Sequence, residues 1–158
     1  GGGTMIYGNR YAHIRQALLD DVPEILHLMD GYVQQGNLIM RTDMDIKNQI
    51  ENYYIYEVDQ AIYGCGALYE LGHGWGEIGA IAVNTAYKSK GVGRGIMQYL
   101  IEKAHEKEIR TLFLLTTKAA DWFFEFGFTQ GNPEDLPEHR KNNYNMKRNS
   151  RVLLLPLS

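Results

Sequence analysis

The spacing of apolar residues changes along this chain, and each change marks a new element. Residues 13–18 (HIRQAL) read as a first strand. The DVPE run at 21–24 then supplies a capping acid, an early proline and a glutamate three residues after the cap. Ile25, Leu26, Leu28, Met29, Tyr32 and Val33 share one face of the helix this predicts. A second helix is expected from Thr42 to about Tyr53. Strands follow at 54–59, 61–71 and 76–83, separated by turn residues at Asp59, Gln60 and 72–76, as in an antiparallel meander. Ile96, Met97, Leu100, Ile101 and Ala104 recur at helical spacing and predict an amphipathic helix ending near Glu108. The TLFLLTT run at 111–117 reads as a buried strand. Trp122 and Phe124 read as core around a last helix.

The pattern is continuous, with no repeat or linker, and 158 residues suit one domain with a sizeable core. Residues 1–4, ahead of Met5, read as a cloning scar and 5–158 as a single domain. A formal charge of -3 argues against a nucleic-acid partner, which would call for a basic face. The apolar runs are too short to span a membrane, and the N-terminus lacks the pattern of a signal peptide. The lone Cys65 excludes an internal disulfide and agrees with a cytoplasmic protein; on its strand it reads as a small buried residue. The histidines at 13, 27, 73, 105 and 139 show no metal-ligand spacing, so no metal is expected. The terminal RVLLLP run predicts an exposed strand that a second copy could pair with, giving a homodimer.

Chemistry concentrates in YKSKGVGRGIMQYLIEKA, residues 87–104. A strand, a glycine-rich turn and a helix make an anion site, because first-turn N–H groups lack intrahelical partners and the helix dipole is positive there. Lys88 and Arg94 add charge suited to a pyrophosphate. Without a terminal Gly-Lys-Ser/Thr the loop is not a Walker A site, and its third glycine is one residue early for a dinucleotide fingerprint.

The spacing of Lys88, Gly91 and Gly93 resembles the acyl-CoA loop of the GNAT superfamily of N-acetyltransferases. Together with QQGNLIMR (34–41), YGCGALY (63–69), GEIGAIAV (76–83), LFLLTTKAADWFFEFGF and DLPEHRKNNYNMKRNSRVLLL, the chain from His13 to Leu155 resembles the acetyltransferase domain of bacterial N-acetylglutamate synthases. The resemblance implies an α/β (α+β) fold, the GNAT acyl-CoA N-acyltransferase fold, with a mixed central sheet flanked by helices. It implies acetyl-CoA as cosubstrate and L-glutamate as acceptor, the product serving arginine biosynthesis. The amino-acid-kinase-like domain of longer members is not in this sequence, and arginine inhibition through it is not expected.

Residue by residue, the resemblance implies Glu77 as general base acting through water. Backbone groups from Ala80 through Ile81, Ala82 and Val83 would meet the thioester carbonyl and the pantetheine, beside a splayed strand. Lys88, Gly91, Val92, Gly93, Arg94 and Gly95 would hold the pyrophosphate. Arg41 and Arg148 would take the two carboxylates of glutamate, supported by Ser150 and the backbone near Ile39, since a planar guanidinium suits a carboxylate. Where many family members carry a tyrosine general acid, this chain has Phe123; Thr116 and Tyr144 are the candidates near the leaving thiolate. Two other readings remain open: an N-acetyltransferase for a different small amine, and a CoA-binding module without catalysis.

Overall fold

The computed structural model describes residues 11–34, 41–141 and 150–157. Its elements in chain order are β1 (Ile14–Gln16), α1 (Val22–Gln34), α2 (Asp43–Asn48), β2 (Tyr53–Val58), β3 (Ala61–Gly72), β4 (Trp75–Val83), α3 (Val92–Glu106), β5 (Thr111–Thr116), α4 (Ala120–Phe124), β6 (Thr129–Gly131), α5 (Glu138–Lys141) and β7 (Arg151–Pro156). One seven-stranded sheet runs in the order β1-β2-β3-β4-β5-β7-β6. Only β4 and β5 pair in parallel; the other described neighbours are antiparallel. The expected meander of β2, β3 and β4 is present, in a mixed sheet with helices on both faces.

Alternation along the strands sorts the core into two layers. Leu68 and Ile78 turn toward α3 and pack with Ile96, Met97, Leu100 and Ala104. Ala67, Ala80 and Ala82 turn the other way and pack with Ile25, Met29 and Ile46 of α1 and α2. Helix α3 lies very close to the sheet, which a glycine makes possible. A Cβ on Gly66 would stand 2.8 Å from both Ile81 Cδ1 and Ile96 Cγ2.

Several boundaries depart from expectation, each for a physical reason. β1 is confined to Ile14–Gln16, because residues 19–21 coil into a 3-10 turn whose Asp21 carboxylate accepts the Leu18 N–H at 2.7 Å. Asp21 therefore looks backward instead of capping α1, and it also receives Arg15 at 2.9 Å. α2 starts at Thr42 as expected, and Thr42 caps it: its hydroxyl accepts the Asp45 N–H, and the Asp45 carboxylate accepts the Thr42 N–H. That helix ends at Asn48, well short of Tyr53, because Tyr53 is buried in β2 opposite Ala67. α3 stops at Glu106, where a left-handed Glu108 (φ 61°) lets the Ile109 N–H return to the Ala104 carbonyl.

The largest correction concerns the C-terminal strand. β7 is an interior strand: all six of its residues pair with β5, and Val152–Leu154 also pair with β6. Val152–Leu154 are thus paired on both sides within the chain, so β7 is not the free edge strand expected for a second copy. Valine at position 66 should overfill the contact between β3 and α3. Gly66→Val should lower unfolding stability by about 1–3 kcal/mol, read by urea denaturation.

Candidate active site

The site begins where two parallel strands part. β4 and β5 pair only at Trp75, Gly76 and Glu77, opposite Thr111, Leu112 and Phe113. Beyond Glu77 β4 bends away. Its register with β3 advances from Gly79 to Ala82 while β3 moves only from Ala67 to Cys65, so one extra residue is accommodated as a bulge. Ala80 takes it up in a left-handed conformation, φ 56°, and is buried. A non-glycine residue held there costs on the order of 1 kcal/mol. The Cys65 thiol donates to the Ala80 carbonyl at 3.3 Å and helps secure the bend.

The gap left between the strands is a cavity of about 480 Å³. Ile81 and Val83 of β4 line one wall and Leu115 and Thr116 of β5 the other, while Phe123 lies at its side. It opens toward Lys88, Gly91, Gly93 and Arg94. Gly91 is the N-cap of α3 with φ 79°, and it offers no side chain to cap the first turn. The N–H groups of that turn are thus available to an anion at the cavity mouth. Gly93 admits Trp122, whose Cζ2 would lie 3.3 Å from an added Cβ. The loop cations differ in their engagements: Arg94 pairs with Glu125 at 2.7 Å and lies 5.0 Å from the Phe126 ring centre, whereas Lys88 sits 5.4 Å above the Tyr32 ring.

Thr116 is buried at the inner end. Its hydroxyl donates to the Lys118 carbonyl and accepts the Lys118 N–H at 3.3 Å, so the hydroxyl proton already has an acceptor. Ser150 is buried just before β7. Ile39, Tyr144 and Arg148 lie outside the described residues.

Glu77 and Arg41 belong to the face of β4 that packs toward α1 and α2. Both oxygens of Glu77 accept from Arg140: Oε1 from Nε at 2.9 Å and Oε2 from Nη2 at 3.1 Å. The two side chains are only 16% and 17% exposed. Glu77 is therefore a fork-paired carboxylate beside the splay, not part of the cavity lining. Arg41 reaches the same strand two residues on, its Nη2 3.8 Å from where a Gly79 Cβ would stand. Its Nη1 is buried and has no hydrogen-bond partner among the described residues. Tyr53 and Tyr69 join hydroxyls at 2.8 Å on this face, and burial raises the pKa of both, so they stay neutral. A buried, unsatisfied guanidinium nitrogen is costly, and a carboxylate is its natural complement.

Two residues of this arrangement escape the sequence. Arg140 lies in the family-like DLPEHRK segment, where no role is legible for it from the sequence, and Tyr32 falls within the apolar stripe of α1. No group of three or more His, Cys, Asp or Glu comes together among the described residues, and no helix among them is long and apolar enough to cross a membrane.

Comparison with known proteins follows the same outline. Residues 19–128 match the family model described as acetyltransferase (GNAT) family. An amino-acid acetyltransferase of Pseudomonas putida is 34% identical over 99% of this chain, which spans 37% of that relative's length. The structure of N-acetylglutamate synthase from Neisseria gonorrhoeae complexed with coenzyme A and N-acetyl-glutamate superposes with a TM-score of 0.88 at 35% identity, covering 92% of this chain and 35% of that one. Rv2747 from Mycobacterium tuberculosis, at 23% identity, shares the fold with a TM-score of 0.80 over 92% of this chain and 99% of its own.

Burial pushes the Cys65 thiol up to about 12, leaving little thiolate at neutral pH. The native protein should therefore resist Ellman's reagent at pH 8 and react within minutes once unfolded in urea. Rapid labelling of the folded chain would contradict this placement.

Proposed function

This chain belongs to the acetyltransferase (GNAT) family, and from that premise we propose that it transfers the acetyl group of acetyl-CoA to the α-amine of an amino acid, L-glutamate above others. The observation that carries the acceptor reading is Arg41 Nη1, buried beside β4 and without a hydrogen-bond partner among the described residues. An acceptor bearing a carboxylate would satisfy it. Arg148, with Ser150 and the backbone near Ile39 in support, would receive a second carboxylate, as the sequence resemblance implies. Glutamate carries both. The relatives named amino-acid acetyltransferase and N-acetylglutamate synthase support the same class of acceptor, and the product would enter arginine biosynthesis.

The CoA reading is supported by the cavity and its mouth. The uncapped first turn of α3, with Lys88 and Arg94 beside it, suits a pyrophosphate, and the splay is long enough to receive an extended arm. Acetyl-CoA supplies the activated acetyl group as a thioester. Glu77 takes a proton from the α-ammonium group through water, leaving the nitrogen lone pair free to attack. The C–N bond forms as the C–S bond breaks, and the sulfur leaves with the electron pair. Backbone N–H groups of the bulge that face the splay polarise the carbonyl as negative charge develops on its oxygen. The acylated nitrogen then gives up its remaining extra proton while the thiolate gains one, relayed through the hydroxyl of Thr116 or Tyr144, so that neither hydroxyl is left ionised. Arg140 orients Glu77 through two parallel hydrogen bonds, acting through it and not on the substrate.

Thiol release from acetyl-CoA, measured with glutamate, aspartate, glutamine and a lysine peptide in turn, should be strongest with glutamate. Turnover with another amine alone would discard the two-arginine acceptor site, and CoA binding without turnover would favour a regulatory module. Arg41→Ala and Arg148→Ala should each raise the glutamate KM about tenfold to a hundredfold with little change in acetyl-CoA KM; equal loss of both would count against the assignment. Steady-state kinetics should also show Glu77→Gln lowering kcat by about 10²–10⁴. Arg140→Gln should lower kcat in the same direction, with Arg140→Lys recovering part of it and the acetyl-CoA KM unmoved.

A further inference from the structure

Val83 closes β4 at a point where β5 has already turned away, since their pairing ends at Glu77. In an antiparallel ladder the N–H and C=O of one residue point to the same side, and successive residues alternate. Asn84 directs its N–H to the Tyr63 carbonyl of β3. Val83 therefore aims both of its groups away from β3, into the splay.

One side chain meets both. The Tyr32 hydroxyl donates to the Val83 carbonyl at 3.0 Å and accepts the Val83 N–H at 3.0 Å. A phenol from α1 thus does for Val83 what a residue of an adjacent strand would do. Its ring forms part of the cavity wall, and the Lys88 ammonium lies 5.4 Å above it.

We propose that the Tyr32 hydroxyl is an internal stand-in for a ligand amide: it holds the open edge of β4 at Val83 in the free protein and is displaced when an amide-bearing acyl thioester enters the splay. The inference rests on the CoA reading above. Between its phosphates and its sulfur, CoA is an extended chain with secondary amides, and such a chain pairs with an exposed strand edge through main-chain-type hydrogen bonds. A ligand running from the first turn of α3 to Thr116 passes Val83 on its way. There it finds the N–H and C=O already taken.

The hydroxyl therefore stabilises the free protein and not the complex, and its removal has an unusual sign. Taking away a hydrogen bond in the cavity wall should strengthen ligand binding. Phenylalanine is the suitable replacement, because it keeps the ring under Lys88 and deletes only the oxygen.

Titration calorimetry with CoA, and with adenosine 3′,5′-bisphosphate as a probe lacking the amide arm, tests the idea. Tyr32→Phe should bind CoA about three- to tenfold more tightly than the wild type, with its affinity for the bisphosphate unchanged. Equal or weaker CoA binding by the variant would overturn the inference while leaving the CoA reading intact. Equal tightening for both probes would also overturn it, because the loop and not the strand edge would then be responding. Failure of both proteins to bind CoA would sink the CoA reading and this inference with it. Amide hydrogen exchange by NMR adds a readout that does not depend on the variant folding normally. The Val83 amide should be protected in the free wild type and remain so with CoA; in Tyr32→Phe it should exchange quickly when free and regain protection with CoA. An unprotected Val83 amide in the free wild type would exclude the stand-in outright.

Discussion

Everything distinctive in this molecule follows from the parting of β4 and β5. Two parallel strands that pair for three residues and then diverge leave backbone groups without a ladder, and buried backbone groups need partners. The chain meets this demand from unrelated directions. Ala80 absorbs an extra residue in a strained conformation, Cys65 secures the bent carbonyl, and Tyr32 reaches across from α1 to the end of the strand. Gly66 lets α3 settle closely on the opposite face, so that the first turn of that helix points at the mouth of the gap. The cavity is the space these adjustments leave over.

Charge is distributed around the gap with unequal completeness. On the face toward α1 and α2, Glu77 has a full bidentate partner in Arg140, while Arg41 keeps a buried nitrogen without a partner among the described residues. A closed pair fixes the position of a carboxylate. An unsatisfied cation instead leaves the free protein with an electrostatic cost that an anionic ligand would relieve. At the mouth, Arg94 pairs with Glu125, and Lys88 remains exposed beside Tyr32.

Unlike β6 and α5, the meander, the start of a helix at Thr42, the glycine-rich start of α3 and the buried strand β5 were legible in the amino-acid sequence. Each is written in neighbouring residues: alternation reports one buried face of a strand, helical spacing reports a stripe, and Thr42 and Gly91 mark ends by the hydrogen bonds they can make or cannot. Family-like motifs added Glu77, Arg41 and the loop cations as candidates. What only the tertiary structure decided is how distant segments meet. Glu77 and Arg140 stand 63 residues apart, and Tyr32 and Val83 stand 51 apart. β7 lies inside the sheet rather than at its edge, and α2 ends early because Tyr53 is claimed by β2. Local patterning tells which side of an element avoids water; it carries no record of which other segment will lie against that side. Pairings across the sheet are settled by the geometry of the assembled core, where one strand's bend determines which donors and acceptors are left to be met.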